Sequence, residues 1–489
     1  MTEHSDIDAL VVGAGPVGLT AALLLHELGH SVRVVERRPT TQRAPAAHVI
    51  NARTFEIWRQ AGVDVQAIRD RAQPPDHAGH VYWVHRLGGE VHGRLQYEQQ
   101  GDDQLAVTPT PLRNLSQHLL EPMLVQELAR RDVHVEYDTE WAGMADSGGS
   151  VVSTLVKDGT STPIESAWLL GCDGAGSPVR RSCGIAMKGP DQLQRFSMVH
   201  FRADLSTLVG TDRGVLYWVC DPASGGTFVS HGNGGEWVYM CPHRDDAEHH
   251  LHSAMQHRVE VEVLGTSSWM MTSQLAETYR HGRVLLVGDA AHRFPPSGGM
   301  GLNTGVGDAH NLAWKLSHVM RADADESLLD TYESERRPVA ARNAQASLEN
   351  AMRMGEVFKA LATPGHPGLA EAIEHQATHF DMLGLQLGYR YGEPQPPLDD
   401  ATIRRYLPSS EPGCRLPHGW VDRSGRSVST LDLVPVDRYV TIGGPERADA
   451  DIRVGIDICD PGDWWGSTMR MGPHDAVVVR PDQHIDRVL

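Results

Sequence analysis

The chain has 489 residues, a formal net charge of −19 and 22% charged residues. Its length predicts about three domains with sizeable cores, and the negative balance argues against nucleic acid and anionic membranes as partners. Six scattered cysteines without a C-x-x-C pair argue against a zinc site or a disulfide framework and fit a reducing cytoplasm. The opening MTEHSDID carries no basic stretch ahead of an apolar one, and the apolar run 21–25 is too short to span a bilayer, so a cytoplasmic location is expected.

In chain order, Ile7 to Val12 reads as a buried strand ending at Gly13. Residues 16–28 read as a helix stopped by Gly29, and 32–36 as a second strand, which together make a βαβ unit with a parallel sheet. LSQHLLEPMLVQELARR, from Leu115, predicts a helix. VHVEY and SVVSTLV follow as weak strands, and 167–173 as an apolar strand running into Gly-Cys-Asp-Gly. From about 186 to 274 short β-branched and aromatic runs (RFSMVHF, GVLYWV, TFVSH, EWVYM) alternate with turn residues, predicting an antiparallel sheet of its own. Residues 283–288 return to a buried strand, 303–355 read as helical with a break at Pro338, and PGHPG and EPQPP (364–368 and 393–397) read as linkers.

Residues 13–18 read G-A-G-P-V-G. Gly13 permits a tight turn, Gly15 lets backbone approach a pyrophosphate, and Gly18 lets helix and strand pack closely; Pro16 opens the helix whose N–H groups face the phosphates. Glu36 lies eighteen positions after Gly18, at the end of the second strand, where a carboxylate meets a ribose hydroxyl. This pattern alone does not separate FAD from NAD. GRVLLVGDAAHRFPPSGGMGLNTGVGDAHNLAWKL, 282–316, adds a carboxylate, Asp289, at the end of a buried strand. A Pro/Gly loop follows whose backbone can lie against a flat ring, and then a helix starting near Asn303 whose dipole favours a reduced flavin.

GAGPVG at 13–18, GCDGAGSPVR at 171–180 and GDAAHRFPPSGGMGLNTG at 288–305 resemble, in this order, the para-hydroxybenzoate hydroxylase-like family of single-component FAD aromatic hydroxylases. INARTFEIW at 50–58, DAHNLAWKL, YESERRP at 332–338, PGCRLPHGW and VVVRPDQH are similar to the phenol, 2,4-dichlorophenol and polyketide hydroxylase branch. The resemblance implies FAD held by Glu36, Arg37, Arg43 at the pyrophosphate, Gln117 at the flavin, Asp173 in a segment serving FAD and NAD(P)H, and Asp289 on the ribityl chain. Gly299 and the Gly301-Leu302-Asn303 backbone would contact the isoalloxazine, with Pro296 beside its reacting face. The implied reaction is hydroxylation of a small phenolic aromatic by NAD(P)H and dioxygen through a flavin hydroperoxide, in a monomer or homodimer.

The resemblance places a substrate-contacting residue five before Arg53, which is His48, and a near-neutral imidazole suits a proton acceptor. Tyr217, His231 and Tyr239 are the further substrate-binding candidates, on the antiparallel sheet, where Trp237 and Tyr239 share one face. His292 is expected to fix its loop. Arg180 and Arg181 are exposed charges open to NAD(P)H phosphates or to solvent alone, and Met300 in place of a lysine implies less positive charge at the ring. The expected fold is α/β: a discontinuous Rossmann-like FAD-binding domain (1–75, 105–185, 275–345) with an inserted antiparallel-sheet substrate domain (76–104, 186–274). A helical linker (346–409) and a C-terminal thioredoxin-like domain without redox cysteines (410–489) follow, the last shortened between Gly444 and Asp451. Baeyer–Villiger or epoxidising chemistry on the same scaffold, an uncoupled oxidase and a non-catalytic FAD-binding partner remain open. The halogenase signature G-W-x-W-x-I-P is absent.

Overall fold

The computed structural model describes residues 7–97, 100–146, 148–210, 213–232 and 235–489; the stretch 1–6, read above for a leader, lies outside them. The strand Ile7–Val12 pairs in parallel with Val32–Val35 on one side and Thr160–Gly171 on the other. Val284–Leu286 and Val135–Glu136 extend the parallel sheet outward. The helix Pro16–Glu27 buries Leu19 and 23–25 against it. Strands covered on both faces need apolar side chains at nearly every position, which is why these segments read as continuous apolar runs. Register places Val12, Val35, Gly171 and Leu286 side by side. The glycine-rich segments that follow three of these strands therefore emerge at one sheet edge, the carboxyl edge where open α/β sheets bind ligands.

A second, seven-stranded sheet runs in the order Glu262–Met271, Gln194–Arg202, Glu236–Pro242, Gly226–Ser230, Leu216–Val219, His80–Val84, Val91–Gln96. All pairs are antiparallel except Leu216–Val219 with His80–Val84. Its two faces differ. On the outer face Phe201, Tyr217, Phe228, Trp237 and Tyr239 pack with Leu251 of the helix Ala247–Ser253 into a closed core. Their strand neighbours Leu216 and Trp218 point the other way, onto a cluster that includes Val49 of the first domain. Tyr217 and Tyr239 are thus corrected as substrate-binding candidates. Tyr217 stacks on Tyr82 at 5.2 Å and accepts from the Gly214 N–H at 2.7 Å, while Tyr239 is fully buried and donates to the Ser224 carbonyl at 2.9 Å. Trp237 and Tyr239 do share a face, and it is the one turned away from the first domain.

The helix Asp330–Leu361 runs through Pro338 unbroken; the chain instead breaks between Met320 and Asp330. One lost backbone bond is tolerated because Tyr332 and Arg336 before the site and Val339, Ala340 and Asn343 after it bury the helix on both sides. The boundary drawn at 346 therefore falls inside a helix. Beyond Gly413 a four-stranded sheet forms in the order Ile452–Arg453, Val440–Gly443, Ala476–Val479, Ile485–Val488. Among the described residues 410–489 no α-helix packs on it, only helical turns at Thr430–Leu433 and Trp464–Thr468. No helix among the described residues is long and apolar enough to cross a membrane.

Tyr239→Phe removes one buried hydrogen bond on the outer face. It should lower the unfolding free energy in urea by about 1 kcal/mol and leave ligand binding unchanged. A binding defect without a stability loss would contradict this placement.

Candidate functional site

The three glycines of the first turn divide into two kinds. A Cβ on Gly13 would lie 2.4 Å from the Cys172 carbonyl oxygen, and one on Gly18 would lie 2.0 Å from that of Gly13. These two serve internal packing, and Gly13 also needs φ +105°. A Cβ on Gly15 would meet nothing within 4 Å. Gly15 is the N-cap of the helix Pro16–Glu27 and offers no side-chain cap, so the first-turn N–H groups are left for an external acceptor. Glu36 closes this cradle: it accepts from the Ala14 N–H at 3.0 Å and from the Arg38 N–H at 2.9 Å and Nε at 3.1 Å. Burial opposes its charge, but the bonds from Arg38 and Ala14 hold the carboxyl below its ordinary range. The arginine at Glu36 is thus Arg38, and Arg37 is exposed, as is Arg43. Gln117 opens its helix, donating its N–H to the Ala47 carbonyl at 2.8 Å and its side-chain amide to Glu121 at 2.7 Å.

The second and third segments complete the cleft. Asp173 accepts from the Val179 N–H at 2.9 Å with one carboxyl oxygen, and the other is buried without a partner. Arg180 is buried, donating to the Ala290 carbonyl at 3.0 Å; it is a strut between the two segments, and of the pair only Arg181 is exposed. Asp289 is open to the cleft, yet protein surrounds it closely enough that burial raises its carboxyl pKa against the opposing charges of His292 and Arg293. Gly299, in the left-handed region at φ +62°, starts the helix Met300–Met320 three residues earlier than expected. Gly301 and Leu302 consequently lie in its first turn, again without a side-chain cap. Pro296 is exposed, and its carbonyl accepts from the Gly299 N–H at 3.0 Å. Met300 is buried among Ala346, Met382 and Leu385, so its side chain sets no charge at the cleft. His292 bonds Asp308 at 2.5 Å, and Asp308 accepts from Arg336 at 2.8 Å, which fixes the loop.

Asn303 turns its side chain inward. Its oxygen accepts from the Asn51 N–H at 3.0 Å and the Thr54 hydroxyl at 2.7 Å. Its amide donates to the carbonyls of Val49 at 2.9 Å and Gly299 at 2.7 Å. This clamp sets His48 beside the cleft. The His48 Nδ1 lies 3.0 Å from the Asn114 side-chain oxygen, whose amide end faces Gln100, so Nδ1 carries the proton and Nε2 is left an acceptor. Burial lowers His48 to about 4 against the Asn114 bond, so it is uncharged at neutral pH. His231, from the second sheet, meets His48 edge to face with ring centroids 5.4 Å apart. Burial, then His48, His118 and His200, push it well below the ordinary histidine value, and its Nδ1 is buried without a partner. Glu236 joins His200 at 2.6 Å and His118 at 3.3 Å nearby. Asn114, His118, His200, Glu236 and Arg38 escape sequence reading because they come from separate elements and form no spaced motif.

These residues fit FAD. Open space lies at Gly15, uncapped N–H groups stand at two helix starts, and the Glu36 and Asp289 carboxylates follow strands that end at the same sheet edge. Gly15→Ala should leave the melting temperature of the apoprotein unchanged and weaken FAD binding about tenfold or more by intruding on the phosphate path. Gly18→Ala should instead destabilise the apoprotein by about 1–3 kcal/mol. Thermal melts and flavin-fluorescence titrations separate the two effects.

The family model described as FAD binding domain matches residues 6–347. The 2,4-dichlorophenol 6-monooxygenase of Delftia acidovorans is 30% identical over 554 residues, covering 98% of this chain and 94% of that protein. A putative polyketide hydroxylase of Streptomyces halstedii is 31% identical, covering 87% and 79%. Among solved structures, the flavin-dependent monooxygenase PieE in complex with FAD and substrate superposes with a TM-score of 0.91 at 28% identity, over 99% of this chain and 96% of that one. The ternary complex of aklavinone-11 hydroxylase with FAD and aklavinone gives a TM-score of 0.85 at 28% identity, over 100% and 96%. With the cradle, the clamp and the family model agreeing over more than half its length, the chain belongs to the FAD binding domain family.

Proposed function

We propose that the protein is an FAD-dependent monooxygenase that hydroxylates a phenolic aromatic substrate, with electrons from NAD(P)H and oxygen from dioxygen. The relatives named above are monooxygenases of phenols and polyketides, which supports the reaction class. The observation that carries the substrate reading is His48: an uncharged imidazole, fixed in one tautomer by Asn114, beside the flavin clamp and against His231.

The chemistry that bound FAD supplies is activation of dioxygen and delivery of one oxygen atom to the ring. The chain's residues do the rest. First-turn N–H groups after Gly15 and Pro16, with Arg43, hold the pyrophosphate, and Glu36 holds a ribose. Asp289 would take the ribityl hydroxyls, and the N–H groups of Gly301, Leu302 and Asn303 would hold the flavin at a helix start that favours negative charge. Gln117 and Pro296 would border the ring, and Asp173 would line the approach shared with NAD(P)H. Leu216 and Trp218 give the inner sheet face an apolar surface on which a flat ring lies out of water. The His48 Nε2 accepts the substrate's hydroxyl proton, which makes the ring carbon ortho or para to it the better nucleophile.

His48→Ala should slow product formation at neutral pH by about 10²-fold, the usual contribution of a positioned base. The signature lies in the pH profile. His48 stays uncharged above pH 5, since burial holds it at about 4, so the unaltered enzyme shows no histidine inflection between pH 6 and 9. The variant's rate should climb with pH toward the phenol's own ionisation near ~10. A variant with unchanged rate and an unchanged flat profile removes His48 from the mechanism.

A further inference from the structure

The segment 480–484, between the last two strands of the C-terminal sheet, inserts into the first domain. Arg53, near the start of the helix Ala52–Gln60, donates to Gln483 at 2.7 Å, to the Asp482 carbonyl at 2.9 Å and to Glu56 at 3.1 Å. Glu56 in turn accepts from Arg415 at 2.8 Å. The Asp482 carboxylate accepts from Asn311, on the helix Met300–Met320, at 3.0 Å. Glu56, Asp482 and Arg415 are almost completely buried, as is Arg53.

Taking these charges out of water is costly, and well-packed apolar side chains of the same volume would serve stability as well or better. What directional buried pairs add is register. The register in question is specific. The helix Ala52–Gln60 begins at Asn51, whose N–H meets Asn303, and the helix Met300–Met320 carries both Asn303 and Asn311. The C-terminal segment therefore grips, near the start of one and about three turns into the other, the two helices whose beginnings frame the flavin loop and His48.

We propose that the C-terminal domain is a positioning element for the flavin site: Asp482 and Gln483 hold Arg53, and through it keep the 48–51 loop seated on Asn303. Arg53, Asp482 and Gln483 are positioning residues, each buried among protein partners. The inference rests on the FAD site and not on the phenol reading, and its readouts need no substrate, so the two can fail separately.

The test is Gln483→Leu, which keeps the volume and removes the acceptor for Arg53 together with the amide bond to the Leu431 carbonyl, while leaving Arg53 its bonds to Glu56 and the Asp482 carbonyl. Two quantities are measured on the apoprotein: the FAD dissociation constant by flavin-fluorescence titration, and hydrogen exchange at the Asn51 amide. Both are expected to rise about tenfold, the scale on which small misplacements reach a site. Ile442→Ala, in the core of the same domain and away from the network, should lower the melting temperature and leave both quantities unchanged. The proposal is overturned if Gln483→Leu leaves FAD affinity and Asn51 exchange unchanged, whatever its melting temperature. It is equally overturned if Ile442→Ala shifts them as much, because the domain's stability and not its register would then be the cause.

Discussion

The structure depends on four hydrogen bonds made by one buried amide. Asn303 ties the flavin loop, through Gly299 and its own helix, to the 49–54 segment, through Val49, Asn51 and Thr54. Each of those partners is a backbone or hydroxyl group that burial would otherwise leave unpaired, at a cost of about 1–3 kcal/mol apiece. The clamp thus satisfies the backbone on both sides of a cleft that must itself expose N–H groups to a ligand. It also decides where His48 stands, since His48 directly precedes the clamped residues.

Two consequences follow for chemistry. The cleft keeps carboxylates and an imidazole deep yet reachable. Asp289 has its pKa raised by burial while remaining open, and His48 is driven to about 4 and kept in one tautomer. Burial thus keeps His48 uncharged at neutral pH, and its bond to Asn114 leaves Nε2 as a hydrogen-bond acceptor. The second sheet then divides its labour by alternation. One face is sealed by aromatic side chains and a helix, and the other packs toward the 49–54 segment at Val49.

The parts legible in the sequence were those whose physics is local. Gly13, Gly15 and Gly18 announce a turn, a ligand gap and a helix–strand contact because spacing and residue type determine them together. Asp289 follows from a buried strand ending in Gly288. Parallel strands betray themselves as unbroken apolar runs. The misreadings share a cause, which is that they needed tertiary information. Tyr217 and Tyr239 lie on a sheet whose two faces both bury apolar groups, so alternation separates the faces without saying which one meets the first domain. Arg180 is a buried strut because the Ala290 carbonyl lies in another segment. Pro338 stays helical because the packing around it outweighs one missing N–H. Arg53 meeting Gln483 spans 430 positions, beyond any sequence pattern.

The central claim is an FAD site coupled to oxygen transfer onto a phenol. Its most direct test is stoichiometry: NAD(P)H consumed, hydroxylated product formed and hydrogen peroxide released, measured on the FAD-loaded protein across a panel of monocyclic and polycyclic phenols. The account predicts that at least one phenol accelerates NAD(P)H consumption and yields one hydroxylated product per NAD(P)H, with little peroxide. Consumption that no phenol alters, with peroxide accounting for all of it, would contradict the account.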